Sequence, residues 1–240
     1  VTAVKGTVEV RLEGGIAILT LKREAKLNAL STHLEGELSD ALGSAAVRQS
    51  GAVVITGGHK VFSAGADTTE LPAMTPEAIE AYYQGSGAVY EAVAALPQPT
   101  VAAIAGYCLG GGFELALAAD LRIADPTALL GLPEVGLGIL PGSGGVHRLV
   151  RAAGPALARD LILRGRRMDA HEALRRGLLT ELTDEGGHLD RAIEVARELA
   201  AQPRLAVTTA KRVIDAAAES SRESALLLER LAYAALNRTT

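Results

Sequence analysis

The stretch Ala102-Ala103-Ile104-Ala105-Gly106-Tyr107-Cys108-Leu109-Gly110-Gly111-Gly112-Phe113-Glu114-Leu115-Ala116 decides how this chain is read. It begins inside a short apolar run, residues 100–105, which reads as a strand covered on both faces. A triple glycine follows, and the remainder has the pattern of a helix stopping near Asp120. The first N–H groups of a helix have no partner within it and sit at the positive end of its dipole. A strand that runs into a glycine-opened helix therefore offers a place for an anionic oxygen. Glycine lets a ligand approach the backbone, although packing and tight turning recruit it as well. The spacing excludes the familiar nucleotide motifs. G-x-G-x-x-G would need glycine or alanine at Leu115, and G-x-x-x-x-G-K-[ST] does not occur.

A second loop, Phe62-Ser63-Ala64-Gly65-Ala66-Asp67, follows another buried-strand run, residues 52–56, in the same manner. Two strand ends presenting free backbone N–H groups could converge on one oxygen, the geometry of an oxyanion hole. Two carboxylates belong to the same picture. Glu114 lies three residues after Gly111, so on a helix it projects from the same face one turn later; its plainer reading is a first-turn acid that favours the dipole. Glu134 follows Pro133 within the apolar, glycine-rich run Leu129-Leu130-Gly131-Leu132-Pro133-Glu134-Val135-Gly136-Leu137-Gly138, where a charge is costly unless paired or solvated. Two glutamates at one pocket can hold their pKa values apart, which suits acid–base work.

Outward from this centre, residues 8–12 and 16–21 flank Glu13-Gly14-Gly15 as a β-hairpin. Ser31 caps a helix expected to run to about Val47, with Leu34, Leu38 and Leu42 on one face. Thr75-Pro76-Glu77 is a helix start with cap, proline and first-turn acid in order. Residues 121–124 and 128–131 read as short strands, 133–145 as loop, and 146–153 as helix again. From about residue 187 the pattern changes to three consecutive helices. The expectation is an α/β core over residues 1–186, with parallel strands, and a helical region over 187–240.

Composition narrows the function further. With 240 residues, 48% hydrophobic, and a formal net charge of −4, the chain fits one globular core. Its 24 basic residues are dispersed and aromatic residues are few, so no nucleic-acid partner is expected. Cys108 is the one cysteine, which excludes an internal disulfide and offers no zinc framework; it reads as a small buried residue. A signal-peptide pattern is not visible at the first residues, and no apolar run approaches the roughly 20 residues that span a bilayer, so a cytoplasmic protein without membrane contact is expected. Neither a G-x-S-x-G elbow nor a zinc-protease histidine pair occurs. The five histidines share no spacing and are expected at the surface or in caps; Asp67 and Asp120 are expected to cap or close turns.

Four ordered motifs together resemble the crotonase, or enoyl-CoA hydratase/isomerase, superfamily over nearly the whole chain. They are Leu21-Lys22-Arg23 with Leu27-Asn28-Ala29-Leu30, the run 62–67, the run 102–116, and Pro133-Glu134-Val135-Gly136-Leu137-Gly138-Ile139-Leu140-Pro141-Gly142-Ser143-Gly144-Gly145. The resemblance implies a spiral of ββα repeats followed by a helical trimerisation region, as a homotrimer or dimer of trimers. It implies that the N–H groups of Ala66 and Gly111 hold a thioester oxygen and that Glu114 and Glu134 are the catalytic acids. Relatives that only move a double bond usually keep a single acid, at the later position. The paired set looks like an enoyl-CoA hydratase, adding water to a trans-2-enoyl-CoA to give a 3-hydroxyacyl-CoA. Coenzyme A is then part of the substrate, no further cofactor or metal is implied, and its contacts fall on Ala64, Ala66, Asp67 and Thr68, with Lys26 and Leu27. The rival readings are an isomerase or other acyl-CoA reaction on the same fold, and a non-catalytic member that binds acyl-CoA or protein.

Overall fold

The glycine pair at the opening turn does what its chemistry dictates: β1 (Thr7–Glu13) and β2 (Ile16–Lys22) pair antiparallel across Gly14-Gly15. This is seen in a computed structural model that describes residues 5–70 and 75–238. A 3-10 turn, Glu24–Lys26, leads to α1 (Thr32–Leu42), where Ser31 accepts from the Leu34 N–H at 3.2 Å and Leu34, Leu38 and Leu42 are buried. The helix does not continue to Val47 as its sequence pattern suggests. It stops at Gly43, and α2 (Ala45–Gln49) starts afresh because Ser44 provides a second cap, accepting from the Val47 N–H at 3.3 Å.

The chain then runs through β3 (Ala52–Thr56), α3 (Pro76–Ala94), β4 (Thr100–Ile104), β5 (Tyr107–Leu109), α4 (Gly111–Ala118), β6 (Leu121–Ala124) and β7 (Leu129–Gly131). Thr75 caps α3 through its hydroxyl, as its sequence anticipates. A 3-10 turn at Glu134–Leu137 interrupts the loop expected over 133–145. Beyond it, α5 (Gly145–Leu163) is two helical stretches joined at Gly154-Pro155: Gly154 leaves the helical region at φ 79°, ψ 163°, so the first stretch ends at Ala153 as the sequence pattern expects, and a second one follows that the pattern does not announce. β8 (Met168–Asp169), α6 (Ala170–Arg175), β9 (Glu181–Leu182), α7 (His188–Ala200), α8 (Arg204–Glu219) and α9 (Arg222–Leu236) complete the order.

Among the described residues the strands form two sheets. The larger has the order β1-β2-β3-β4-β6-β9 and is parallel from β2 onward; the smaller is β5-β7-β8. Each pass through the centre lays a strand in the large sheet, a strand in the small one, and then a helix, as in β4-β5-α4 and β6-β7-α5. That is the expected ββα winding. β3 and β4 are buried along their whole length, and their alternate residues serve different layers. Val53, Ile55, Ala102 and Ile104 pack with Leu34, Val93 and Phe113, whereas Val54, Val101 and Ala103 pack with Ala192, Ile193 and Ala196 of α7.

The helical region from residue 187 is thus not uniform. α7 covers one face of the large sheet, while α8 and α9 contain no buried residue. Lys211 of α8 reaches Asp120 at 2.8 Å, and the same Asp120 oxygen accepts from the Thr100 backbone at 2.7 Å. Asp120 therefore ties the start of β4 to α8 instead of closing a turn. His188 is a correction to the expected surface role: it is fully buried under α7, its Nδ1 is 3.1 Å from Asp125 Oδ2, and its Nε2 is 3.1 Å from the Gly58 carbonyl. Packing α7 on the sheet puts its first residue inside, where both ring nitrogens need polar neighbours.

Asn28 fixes the first loop. It is fully buried with φ 50°, a left-handed conformation that Asn tolerates better than most residues. Its Oδ1 accepts from Arg23 N at 2.8 Å, and its Nδ2 donates to the carbonyls of Gly57 and Val61, both at 2.9 Å. Asn28→Ala strands all three backbone groups, and we expect it to lower unfolding free energy by about 2–4 kcal/mol, read as a shift in the urea midpoint at unchanged slope.

Candidate active site

The first loop and the start of α4 meet at their backbones. Hydrogen bonds from Ala64 N to Leu27 O (2.9 Å), Leu30 N to Gly65 O (2.8 Å) and Asp67 N to Leu30 O (2.9 Å) hold the loop against residues 27–30. These bonds bracket Ala66 and leave its own N–H without an acceptor among the described residues. Gly110 N donates to Gly131 O at 2.9 Å, and Phe113 and Glu114 donate back to Gly110 O; Gly111, the first residue of α4, likewise has no acceptor there. The approach is closer than side chains allow. A Cβ on Gly112 would sit 2.6 Å from Ser63 O, and one on Gly65, where φ is +100°, would sit 2.8 Å from Leu109 O. The place a Cβ would take on Gly111 is 3.6 Å from Ala66 N, so the two free amides belong to one spot. Both line one cavity.

Glu114 and Glu134 line that same cavity. Glu114 is 3% exposed, and its Oε1 accepts from Ser143 N at 2.9 Å and Gly145 N at 2.8 Å. Burial raises its pKa, opposed by those two N–H groups, which favour the charged form. Glu134 opens the 3-10 turn, and its Oε2 is buried with no hydrogen-bond partner among the described residues. Burial, with a smaller push from the neighbouring Glu114 charge, raises Glu134 to about 7. The two acids differ as their surroundings do: one is held by backbone donors, the other is left poised near neutrality.

Ala64 and Thr68 also line the cavity, whereas three residues assigned there from sequence do not. Asp67 turns its carboxylate to Arg23 at 2.7 Å and to the hydroxyl and N–H of Thr69, bracing the loop. Leu27 borders a separate open cleft with Lys60, Tyr107 and Leu129, and Lys26 is exposed on the turn beside it. Sequence reasoning missed Tyr82, Ser86 and Tyr90, which enter the cavity from α3. Their four-residue spacing places them on one face, a pattern visible in the sequence once α3 is known to border the site. It also missed Glu35, buried behind them. Cys108 is fully buried as expected, its thiol 3.6 Å from the Gly112 carbonyl.

The chain is similar to known proteins over nearly its whole length. A family model for enoyl-CoA hydratase/isomerase matches residues 11–239. A Mycobacterium bovis protein named probable enoyl-CoA hydratase is 42% identical over 229 residues, covering 93% of this chain and 87% of its own. An Arabidopsis thaliana protein named probable enoyl-CoA hydratase 2, mitochondrial, is 38% identical over 229 residues, 95% of this chain and 76% of its own. Among solved structures, an enoyl-CoA hydratase from Bacillus anthracis superposes with a TM-score of 0.89 at 37% identity, over 95% of this chain and 89% of that one. The DspI structure from Pseudomonas aeruginosa gives 0.91 at 31% identity, over 98% and 96%. A family match over nearly the whole chain, relatives about 40% identical along it and a close superposition on solved structures establish that this protein belongs to the enoyl-CoA hydratase/isomerase family, with the crotonase fold.

Proposed function

We propose that the protein is an enoyl-CoA hydratase, adding water to a trans-2-enoyl-CoA to give the 3-hydroxyacyl-CoA. The observation that carries this reading is the convergence of two unpaired backbone N–H groups and two glutamates of different character on one cavity. When water attacks the β-carbon, the electron pair of the alkene moves toward the thioester, and negative charge gathers on its oxygen. The Ala66 and Gly111 amides are placed to receive that charge without reorganising, and one such donor is typically worth about 3–4 kcal/mol. The N-terminus of α4 adds its dipole in the same sense.

The glutamates divide the protons. Glu114, with Oε1 committed to two N–H groups, is the better ionised partner; its other oxygen orients the water and takes its proton. Glu134, raised to about 7 and with an unpartnered oxygen, is the better proton donor to the α-carbon. The hydroxyl goes to the β-carbon, the proton of Glu134 to the α-carbon, and the charge on the thioester oxygen collapses back; the proton left on Glu114 returns by way of solvent to Glu134 and restores the starting state. Coenzyme A enters as part of the substrate, and Ala64 and Thr68, which line the cavity, are the residues assigned to contact it. The same reading assigns the exposed Leu227, Leu231 and Tyr233 of α9 to contacts between copies of the chain.

Glu114→Gln and Glu134→Gln are each expected to lower kcat for but-2-enoyl-CoA hydration by roughly 10²–10⁴-fold with little change in KM. Unchanged turnover in both, or turnover only of a 3-enoyl-CoA, overturns the hydratase reading. Gly112→Ala, which drives a methyl into Ser63 O, should part the two amides and cost about 10²–10³-fold in kcat while the chain stays folded by circular dichroism. Glu134 also makes a stability prediction with a definite sign. Its ordinary value is 4.5 and its folded value about 7, so between these the folded chain keeps a proton that the unfolded chain has lost. Its contribution to stability is therefore present below about pH 4.5 and lost as pH rises through about 7. Thermal melts of Glu134→Gln should show a gain over the wild type that grows across this window and levels off above it.

A further inference from the structure

The cavity has a polar wall that the hydration chemistry does not use. α3 presents Tyr82, Ser86 and Tyr90 to it, one turn apart, so three hydroxyls stand where a plain alkyl chain would call for apolar side chains. Glu35 of α1 lies behind them, 5% exposed. Its Oε1 accepts from Ser86 Oγ at 2.6 Å and from Tyr90 OH at 2.8 Å. Each hydroxyl has a single proton, and both protons are committed to Glu35, so Ser86 and Tyr90 have only lone pairs left; the Tyr82 hydroxyl also pairs with Ser86, while Tyr90 has no donor among the described residues. Burial pushes Glu35 up to about 6, with those two hydrogen bonds opposing it, so at neutral pH the carboxylate is predominantly charged and keeps drawing the protons to itself. Packing does not demand this group: Leu34, Leu38, Val89 and Val93 already give α1 and α3 apolar contact. The polar wall is also close to the amides, since the place a Cβ would take on Gly111 is 3.0 Å from Tyr90 OH.

We infer that the cavity selects an acyl-CoA whose acyl group carries a hydroxyl, which donates to the lone pairs of Ser86 and Tyr90, with Glu35 as the specificity-determining residue that keeps both turned as acceptors. This deepens the hydratase reading and rests on it. An unsubstituted chain leaves desolvated lone pairs without a donor, and a site built to pair with a substrate hydroxyl discriminates strongly against the analogue that lacks it. A carboxylated chain fares worse, because the charge of Glu35 behind the wall and of Glu114 in it repels an anion.

The test uses matched pairs differing by one hydroxyl. kcat/KM is measured for but-2-enoyl-CoA against 4-hydroxybut-2-enoyl-CoA, and Kd by calorimetry for butanoyl-CoA against 4-hydroxybutanoyl-CoA. The wild type should favour the hydroxylated member by at least about tenfold in both measurements. In Glu35→Leu and in Tyr90→Phe the ratio should fall toward one, a change that a purely structural role for these residues would not produce. A wild-type ratio of one or below overturns the inference, as does a preference that survives in both variants. Should Glu35→Leu fail to fold, Glu35→Gln keeps the shape, and its added N–H₂ group should lower the same ratio. Absence of hydration of either ester sinks the hydratase reading while the Kd ratio still judges the hydroxyl preference; equal hydration of both esters sinks the preference alone.

Discussion

Two backbone segments pressed together without side chains between them govern this protein. Ser63 O lies 2.6 Å from where a Cβ on residue 112 would stand, and Leu109 O 2.8 Å from where one on residue 65 would stand. The hydrogen bonds from Ser63 N to Tyr107 O and from Leu109 N to Ser63 O hold that contact at 2.9 and 3.0 Å. Because the first segment follows β3 and the second follows β4 by way of β5, two adjacent parallel strands of the large sheet deliver them to the same side, and the glycines set how closely they meet. The free amides of Ala66 and Gly111 are a by-product of this geometry: ladder bonds satisfy the residues on either side, and the helix start satisfies none of its own.

Support for the contact is layered outward from it. Asn28 ties three backbone groups of the neighbouring turns, and Ser63 Oγ donates to the Asn28 carbonyl at 2.8 Å while accepting from Gly65 N at 3.1 Å. At the far end of α4, Arg122 donates to the carbonyls of Ala119 and Ala116, placing a cation at the negative end of the helix whose positive end faces the cavity. The glutamates are then added from different places, Glu114 from the first turn of α4 and Glu134 from the 3-10 turn after β7. Neither would have its shifted proton affinity in water. Burial supplies it, and the two N–H groups from the Ser143–Gly145 stretch distinguish one acid from the other.

The same layering explains which functional residues were legible. Glycine pairs, apolar strand runs and a helix opening on Gly110-Gly111-Gly112 state their backbone requirements locally, so the two loops and both acids could be picked out by spacing. Asp67 could be placed in the right loop but not oriented; that its carboxylate faces Arg23 rather than the cavity depends on a residue more than forty positions away. Glu35 and His188 were invisible for a related reason. A charged or titratable side chain amid helical periodicity reads as solvent-facing until its neighbours are known, and Ser86 with Tyr90, or Asp125 with the Gly58 carbonyl, are neighbours only in three dimensions.

By itself the sequence determined the succession of elements, the parallel α/β character and the two glycine-lined turns, because each follows from backbone sterics or from hydrophobic periods a few residues long. It misjudged where α1 ends, because Ser44 caps a new helix there, and it did not announce the second helical stretch that follows Gly154-Pro155. Only the tertiary structure decided that α7 belongs to the sheet, that the amides of Ala66 and Gly111 share a cavity, and that Ser86 and Tyr90 turn their protons away from it toward Glu35. Those outcomes turn on distances between residues far apart in the chain, and desolvation and hydrogen-bond direction take their values only once such distances are set.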